Sequence, residues 1–145
     1  MFSFLQTKPT AYAKIKGYKD YPEVEGLVQF FEVYGGTIVE ADIKNLPEGN
    51  RFHGFHIHGG SSCSNPGGHY AKGREAHPDH SGDMPPLLAC NGMALSIFYT
   101  NRFYPEDVVG KTVIVHANRD DFTTQPSGDS GEMIACGEIV VEQMK

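Results

Sequence analysis

Histidine is concentrated in one short region of this chain. Six of the seven histidines lie between His53 and His80, in a stretch that begins HGFHIH and continues to HPDHSGD, which ends at Asp83. Imidazole and carboxylate side chains are common protein ligands of metal ions such as zinc. The density of these side chains therefore predicts a metal site.

His56 and His58 stand two residues apart in a run that alternates over residues 52–58. On a β-strand, residues i and i+2 project from the same face, so the two imidazoles could share one ion while Phe55 and Ile57 point the other way. A pair of histidines at this spacing could equally lie on a polar sheet face without binding metal. The pair alone does not decide between these interpretations.

The loop that follows favours the metal interpretation. Residues 59–86 are rich in Gly, Ser, Pro, Asn and Asp and show no helix or strand period, and a loop of this length in a small protein is usually functional or disordered. It supplies a complete tetrahedral zinc set, namely His69, His77, His80 and Asp83. A solvated or disordered loop is the alternative, but Pro66, Pro78 and Gly82 are typical of specified turns.

His116 ends the apolar run KTVIVH and could join the His56 and His58 face if a Greek-key path returned it there. A lone histidine after a strand is more often an ordinary surface or core residue. Asp120 and Asp121 follow, and a carboxylate here could hold the free N–H of a liganding histidine or simply form a turn.

Most of the remaining sequence reads as strands. We predict strands over residues 11–17, 25–33, 37–43, 52–58, 92–100, 111–116 and 134–142, a hairpin at Gly35-Gly36 and a second loop over residues 117–132. No stretch shows helical periodicity and no repeat is visible. About seven or eight strands favour an all-β fold, a Greek-key barrel or sandwich of antiparallel strands with two long functional loops.

Composition narrows the function classes. The chain has 145 residues and 39% apolar content, which predicts one domain over residues 1–145. A formal charge of -6 argues against nucleic acid and anionic membrane as partners, and no apolar run reaches the roughly 20 residues that span a bilayer. Residues 1–16 do not read as a secretory signal, which favours the cytoplasm unless a leader has been removed.

The three cysteines, Cys63, Cys90 and Cys136, allow at most one intramolecular disulfide and leave one thiol over. Secreted domains usually pair all their cysteines, so the odd number favours a reducing compartment.

Taken in order, these residues resemble the copper/zinc superoxide dismutase family. The resemblance runs from about Ala11 to Val141 and rests on HGFHIH, Cys63, the GGH that ends at His69, the HPDHSGD segment, GKTVIVH with the following aspartates, and ACG. It implies an enzyme that converts superoxide to dioxygen and hydrogen peroxide by redox cycling of copper, with zinc in a structural role.

The resemblance implies a role for each histidine. The implied copper ligands are His56, His58, His69 and His116, and the implied zinc ligands are His69, His77, His80 and Asp83. His69 would bridge the two metals, and His69 and His116 would be the catalytic residues. His53 would be a structural histidine that hydrogen-bonds to the backbone, and Asp120 would link His56 to His77.

The resemblance also implies a disulfide between Cys63 and Cys136 that joins the metal loop to the last strand, which would favour an oxidising compartment. Cys90 matches no cysteine of the family, and we interpret it as a buried or free thiol. Members of the family include dimers and monomers, so a homodimer is possible.

One position departs from the family pattern. Three residues before the cysteine of ACG the family has an arginine that pairs with incoming superoxide, and here the residue is Met133. Met133 offers no charge, and the preceding loop contains Asp120, Asp121, Asp129 and Glu132 but no cation after Arg119, so we expect slower dismutation. The cations that could substitute, or could be ordinary solvated side chains, are Lys72, Arg74, Arg102 and Arg119.

Two other functions stay open at this stage. A copper-binding protein of the same fold could buffer or deliver the metal with little turnover, and the Met133 thioether could then favour Cu(I) or merely fill apolar space. A zinc hydrolase is the more distant alternative, because it needs an open zinc position and a general base, for which Glu75 is the only glutamate in the loop.

Overall fold

The computed structural model of the chain describes residues 7–49 and 51–143. Residues 1–6, part of the N-terminal segment that does not read as a secretory signal, therefore lie outside the described residues. The first three predicted strands are confirmed as β1 Ala11–Gly17, β2 Glu25–Val33 and β3 Gly36–Lys44. A two-residue turn joins β2 to β3, and its Gly35 has φ 85°. Glycine adopts this left-handed conformation without a steric penalty, as the hairpin prediction requires.

The predicted strand over residues 52–58 is two short strands, β4 Arg51–His53 and β5 Phe55–His58, separated by Gly54. The remaining strands are β6 Leu87–Ala89, β7 Ala94–Thr100, β8 Thr112–His116 and β9 Met133–Val141. Strand β6 was not predicted, because three residues are too few to show alternation.

A single turn of helix, α1 Pro105–Val108, was also not predicted. Four residues cannot display a period of 3.6, but Pro105 suits a helix start, and the Asp107 carboxylate accepts the backbone N–H of Tyr104 at 2.8 Å. Among the described residues, no helix combines the length and the apolar character needed to cross a bilayer.

Seven strands form one antiparallel sheet in the order β5-β8-β9-β1-β2-β3-β7, and β4 pairs with β6 in a separate ladder. Neighbours in space are therefore not always neighbours in sequence, since β3 lies beside β7 and β5 lies beside β8. The sheet curls, and the predicted all-β Greek-key barrel is confirmed.

The barrel interior fixes which way the histidines of β5 point. Phe55 and Ile57 are fully buried in the hydrophobic core, where they pack with residues such as Phe30 and Ile139. Because side chains alternate along a strand, His56 and His58 lie on the outer face of the barrel. This confirms the predicted division of β5 into an apolar face and a histidine face.

Candidate metal centre

Four imidazoles meet on the outer face of the barrel. His56 and His58 project from β5, and His116 ends the neighbouring strand β8. An isolated bridge between His58 and His69 brings the fourth ring in from the loop. One nitrogen from each of the four rings lies within 4.8 Å of the others, and we call these rings the first histidine group.

Each ring of this group has one nitrogen paired and one left over. The paired contacts are His56 Nε2 to Asp120 Oδ2 at 2.7 Å, His58 Nδ1 to Gly67 O at 2.7 Å, His69 Nδ1 to Asp83 Oδ1 at 2.7 Å, and His116 Nδ1 to Gly131 O at 3.1 Å. The leftover atoms are buried without a hydrogen-bond partner in the described part of the chain, namely His56 Nδ1, His58 Nε2, His69 Nε2 and His116 Nε2.

A neutral imidazole has one N–H and one lone pair. Since the N–H of each ring is directed at an oxygen, the lone pairs are directed at one another, which is the arrangement that a metal ion requires. Burial lowers the pKa of His56 to about 2 and the pKa values of His58 and His116 to about 4, so these rings are neutral at neutral pH. The first histidine group therefore fits copper, for which imidazole is a suitable ligand.

A second group converges on the Asp83 carboxylate. His69 Nδ1 lies 2.7 Å from Asp83 Oδ1, while His77 Nδ1 and His80 Nδ1 lie 3.1 Å and 3.0 Å from Asp83 Oδ2. His77 donates its Nε2–H to Asp120 Oδ1 at 2.7 Å, so a neutral His77 turns a lone pair toward a carboxylate. A cation between them removes this repulsion, and three imidazoles with one carboxylate form a tetrahedral zinc set.

The fourth member of this second group is decided by chemistry. By mutual distance, the atoms within 4.8 Å of one another come from His56, His69, His77 and Asp83. His56, however, has its Nε2 on Asp120 and its Nδ1 in the first histidine group. His80 reaches Asp83 with both its ring and its backbone N–H, so it could serve as the fourth ligand.

Asp120 connects the two groups. Its side chain is 2% exposed, and its two oxygens accept the ring N–H groups of His56 and His77. Gly128, with φ 75°, lies directly against this contact, and a Cβ there would collide with Asp120 Oδ1 and His77 Nε2. The sequence did not single out Gly128, although its place in the PSGDSG segment is typical of a turn.

Two further residues support the site from outside the ligand sets. His53 is fully buried, and its Nδ1–H donates to the backbone oxygen of His116 at 2.9 Å, as expected of a structural histidine. Gln125 brackets His77, accepting its backbone N–H at 3.0 Å and donating to its backbone oxygen at 2.6 Å. Nothing in the sequence pointed to Gln125, because the contact spans 48 residues.

The predicted disulfide is present. Cys63 in the metal loop is bonded to Cys136 in β9, across 73 residues of chain. Cys90, which could have been a buried or a free thiol, is free and exposed.

Met133 begins β9 directly opposite His116, beside the first histidine group.

Two of the cations that could replace a missing charge are engaged elsewhere. Lys72 pairs with Asp107 at 2.9 Å, and Arg102 donates to backbone oxygens of the metal loop. Arg74 and Arg119 are exposed. Glu75 accepts the hydroxyl of Ser81 at 2.8 Å.

Comparisons with known proteins point to one family. The family model described as copper/zinc superoxide dismutase matches residues 24–139. A Cu-Zn superoxide dismutase of Legionella pneumophila is 35% identical over 130 residues, covering 81% of this chain and 79% of that protein. Cu-Zn superoxide dismutases of Caulobacter vibrioides and Deinococcus radiodurans are 32% and 31% identical, each over 79% of this chain and over 77% and 76% of their own lengths.

Proposed function

The chain belongs to the copper/zinc superoxide dismutase family, and we propose that it carries out dismutation of superoxide with the two groups described above as its copper and zinc sites. The observation that carries this proposal is the first histidine group itself, in which four buried imidazole nitrogens without a hydrogen-bond partner among the described residues lie close to one another. The comparisons do not favour the alternative of a copper carrier with little turnover.

We assign the copper ligands as His56, His58, His69 and His116, and the zinc ligands as His69, His77, His80 and Asp83. Copper, when bound, supplies the redox chemistry by accepting an electron from one superoxide and giving one to another, which yields dioxygen and hydrogen peroxide. The chain pre-orients the rings of His56, His58 and His116, because each donates its N–H to a fixed oxygen acceptor.

His69 belongs to both sites. Its Nδ1 faces Asp83 in the zinc group, and its Nε2 faces the first histidine group. The peroxide product needs two protons, and His69 Nε2 is a basic atom in that group that can hold one and pass it on. We therefore assign His69 as the residue that handles the proton and His116 as the catalytic ligand opposite Met133.

A missing guiding charge supports a dismutase slower than arginine-bearing relatives. Met133 occupies the position beside His116, and Lys72 and Arg102 are bound to other groups. A superoxide anion approaching the first histidine group therefore meets no fixed guanidinium from these residues.

The test is superoxide consumption by the protein loaded with copper and zinc. We expect the loaded protein to accelerate superoxide loss well above the same protein loaded with zinc alone. His58→Ala should remove most of this activity, since it deletes a copper ligand without touching the zinc set. Equal rates with and without copper would refute the assignment.

We also propose a homodimer, through a face formed by β4, β6 and β7. All the outward side chains of β7 are large and apolar, and they join three others in a patch whose members are 42–57% exposed: Phe52, Leu88, Met93, Leu95, Ile97 and Tyr99. Six half-exposed side chains of this size present roughly 500 Å² of apolar surface, close to the apolar share of the ~800 Å² that each partner buries in a standard interface. We do not propose nucleic acid as a partner, because the chain itself has a formal charge of -6.

Sedimentation or light scattering at micromolar concentration tests the dimer. Ile97→Glu places a charge at the centre of the patch and should give monomers, whereas Val140→Glu, at an apolar position of similar exposure on β9, should leave the dimer intact. A wild-type protein that is monomeric at these concentrations would contradict the proposal.

A further inference from the structure

We propose that Arg102 is a positioning residue for zinc, which holds the loop segment 78–83 so that His80 and Asp83 are arranged before the metal binds. Its Nη1 lies 2.7 Å from the backbone oxygen of Pro78, 3.1 Å from that of His80 and 3.4 Å from that of Asp83. One guanidinium nitrogen thus contacts three carbonyls of one short loop segment. The inference rests on the zinc assignment made above.

The carbonyl contacts carry this role, and an ion pair does not. Arg102 also approaches Asp79 Oδ1 at 3.4 Å, but the Asp79 side chain is 77% exposed, and exposed pairs of this kind contribute little. The three carbonyls instead turn their negative ends toward one point, where a planar donor group can satisfy more than one of them. Without that donor the three carbonyl groups would rotate toward water, and the segment 78–83 would lose this conformation.

Arg102 can act as a fixed point because its own backbone is anchored to the barrel. Its backbone N–H donates to Thr100 Oγ1 at 3.1 Å, and the next residue, Phe103, is 1% exposed. The Phe103 backbone oxygen accepts the buried hydroxyl of Thr37 on β3 at 2.7 Å, and its ring packs edge-on against Phe30. The guanidinium therefore extends from a rigid part of the core.

Backbone hydrogen bonds from Ile57 to Gly82 and from Gly82 to Tyr70, each 2.8 Å, hold the end of this segment. On the side of Arg102 it borders an open pocket of about 350 Å³ that is lined by Pro78, Asp83, Tyr99, Arg102 and Phe122 among others. Gln125 and Asp120 already bracket His77, so Arg102 serves the other half of the zinc set, His80 and Asp83. The ligands of the first histidine group on β5 and β8 are held by strand pairing and do not depend on it.

The experiment compares metal retention in Arg102→Gln and Arg74→Gln, both measured on the full chain loaded with copper and zinc. Arg74 is an exposed arginine of the same loop, so its variant removes the same charge without the carbonyl contacts. Competition with a zinc chelator and, separately, with a copper chelator gives the two affinities. The absorption spectrum of Co(II) in the zinc site reports ligand geometry independently of activity.

We expect R102Q to lower zinc affinity by about 10- to 100-fold and to alter the Co(II) spectrum, as loss of a ligand-orienting group typically does. Copper affinity in R102Q, and zinc affinity in R74Q, should change by less than about threefold, within the scatter of surface substitutions. Arg102→Lys keeps the positive charge but not the planar guanidinium, so its zinc affinity should lie between those of wild type and R102Q.

Three outcomes would overturn an assignment. If R102Q holds zinc as tightly as R74Q, or loses copper and zinc by the same factor, Arg102 does not position the zinc ligands. If wild type itself binds no zinc, the zinc site of the proposed function fails instead, and the two failures are distinguishable. If R102Q does not fold, Arg102→Lys against Arg74→Lys gives the same comparison.

Discussion

At the scale of single residues, the orientation of each imidazole depends on the acceptor to which it donates its one N–H. Asp120 accepts hydrogen bonds from two of these N–H groups, that of His56 in the first histidine group and that of His77 beside Asp83. An aspartate can do this because it offers two acceptor oxygens and no donor. The same two contacts join the first histidine group to the group around Asp83 through a single side chain.

Asp120→Asn should therefore weaken both sites. The amide keeps one oxygen but turns an NH₂ group toward the second ring, whose N–H then faces another donor. We expect copper and zinc affinities to fall by about 10- to 100-fold, measured by chelator competition.

The matched control is Asp129→Asn, which removes an equal charge from an exposed position at φ 53° that asparagine tolerates. If D120N retained both metals as well as D129N, the linking role of Asp120 would be refuted.

We expect Met133 to limit how well the site attracts superoxide. Met133→Arg would place a fixed positive charge opposite His116, where superoxide approaches. We expect about a tenfold or larger increase in the second-order rate constant at low ionic strength, measured by pulse radiolysis or stopped flow. Met133→Gln has a similar length and no charge, and should leave the rate near that of wild type; equal rates for both variants would show that charge at this position does not matter.

At the scale of elements, strands supply some ligands and loops supply the others. β5 and β8 fix His56, His58 and His116 through backbone pairing, whereas His69, His77 and His80 come from a loop with almost no regular structure. Such a loop needs attachments to the barrel, and the Cys63–Cys136 disulfide is one of them. It joins the loop to β9, the strand that begins with Met133.

Replacing both cysteines, in Cys63→Ala with Cys136→Ala, should destabilise the metal-free protein by about 2–4 kcal/mol, because a link across 73 residues restricts the unfolded chain. Urea unfolding measures the difference. Cys90→Ala, at an exposed free thiol, should change the free energy of unfolding by less than about 0.5 kcal/mol. A double variant as stable as C90A would contradict the argument.

The strands and the histidines of this fold are legible in the sequence because they follow local periods. Alternation located β1 and β3 and divided β5 into its two faces, and β-branched and aromatic content located β2. The contacts that complete the site have no such period. Gln125 reaches His77 across 48 residues and Arg102 reaches the loop carbonyls from about 20 residues away, so only the folded chain reveals them.

The use of Arg102 could not be predicted from the sequence. As a sequence position it could have been a solvated cation or a substitute for the missing arginine beside copper. The structure places it on the backbone oxygens of Pro78 and His80, because the turn after β7 directs it toward the metal loop. Charge alone could not distinguish these uses, since each needs the same guanidinium.

At the scale of the whole molecule, the net charge opposes the reaction. The chain has a formal charge of -6, and superoxide is an anion. Part of this negative charge lies in exposed positions of the loop before β9, at Asp129 and Glu132. Raising ionic strength from about 0.01 M to about 0.15 M shortens the Debye length from about 30 Å to about 8 Å and screens this repulsion, so the dismutation rate constant of wild type should rise with salt. In Met133→Arg the attraction by the new charge is screened as well, and the increase should shrink or reverse. A wild-type rate that falls with salt would mean that the field at the metal site is attractive despite the net charge.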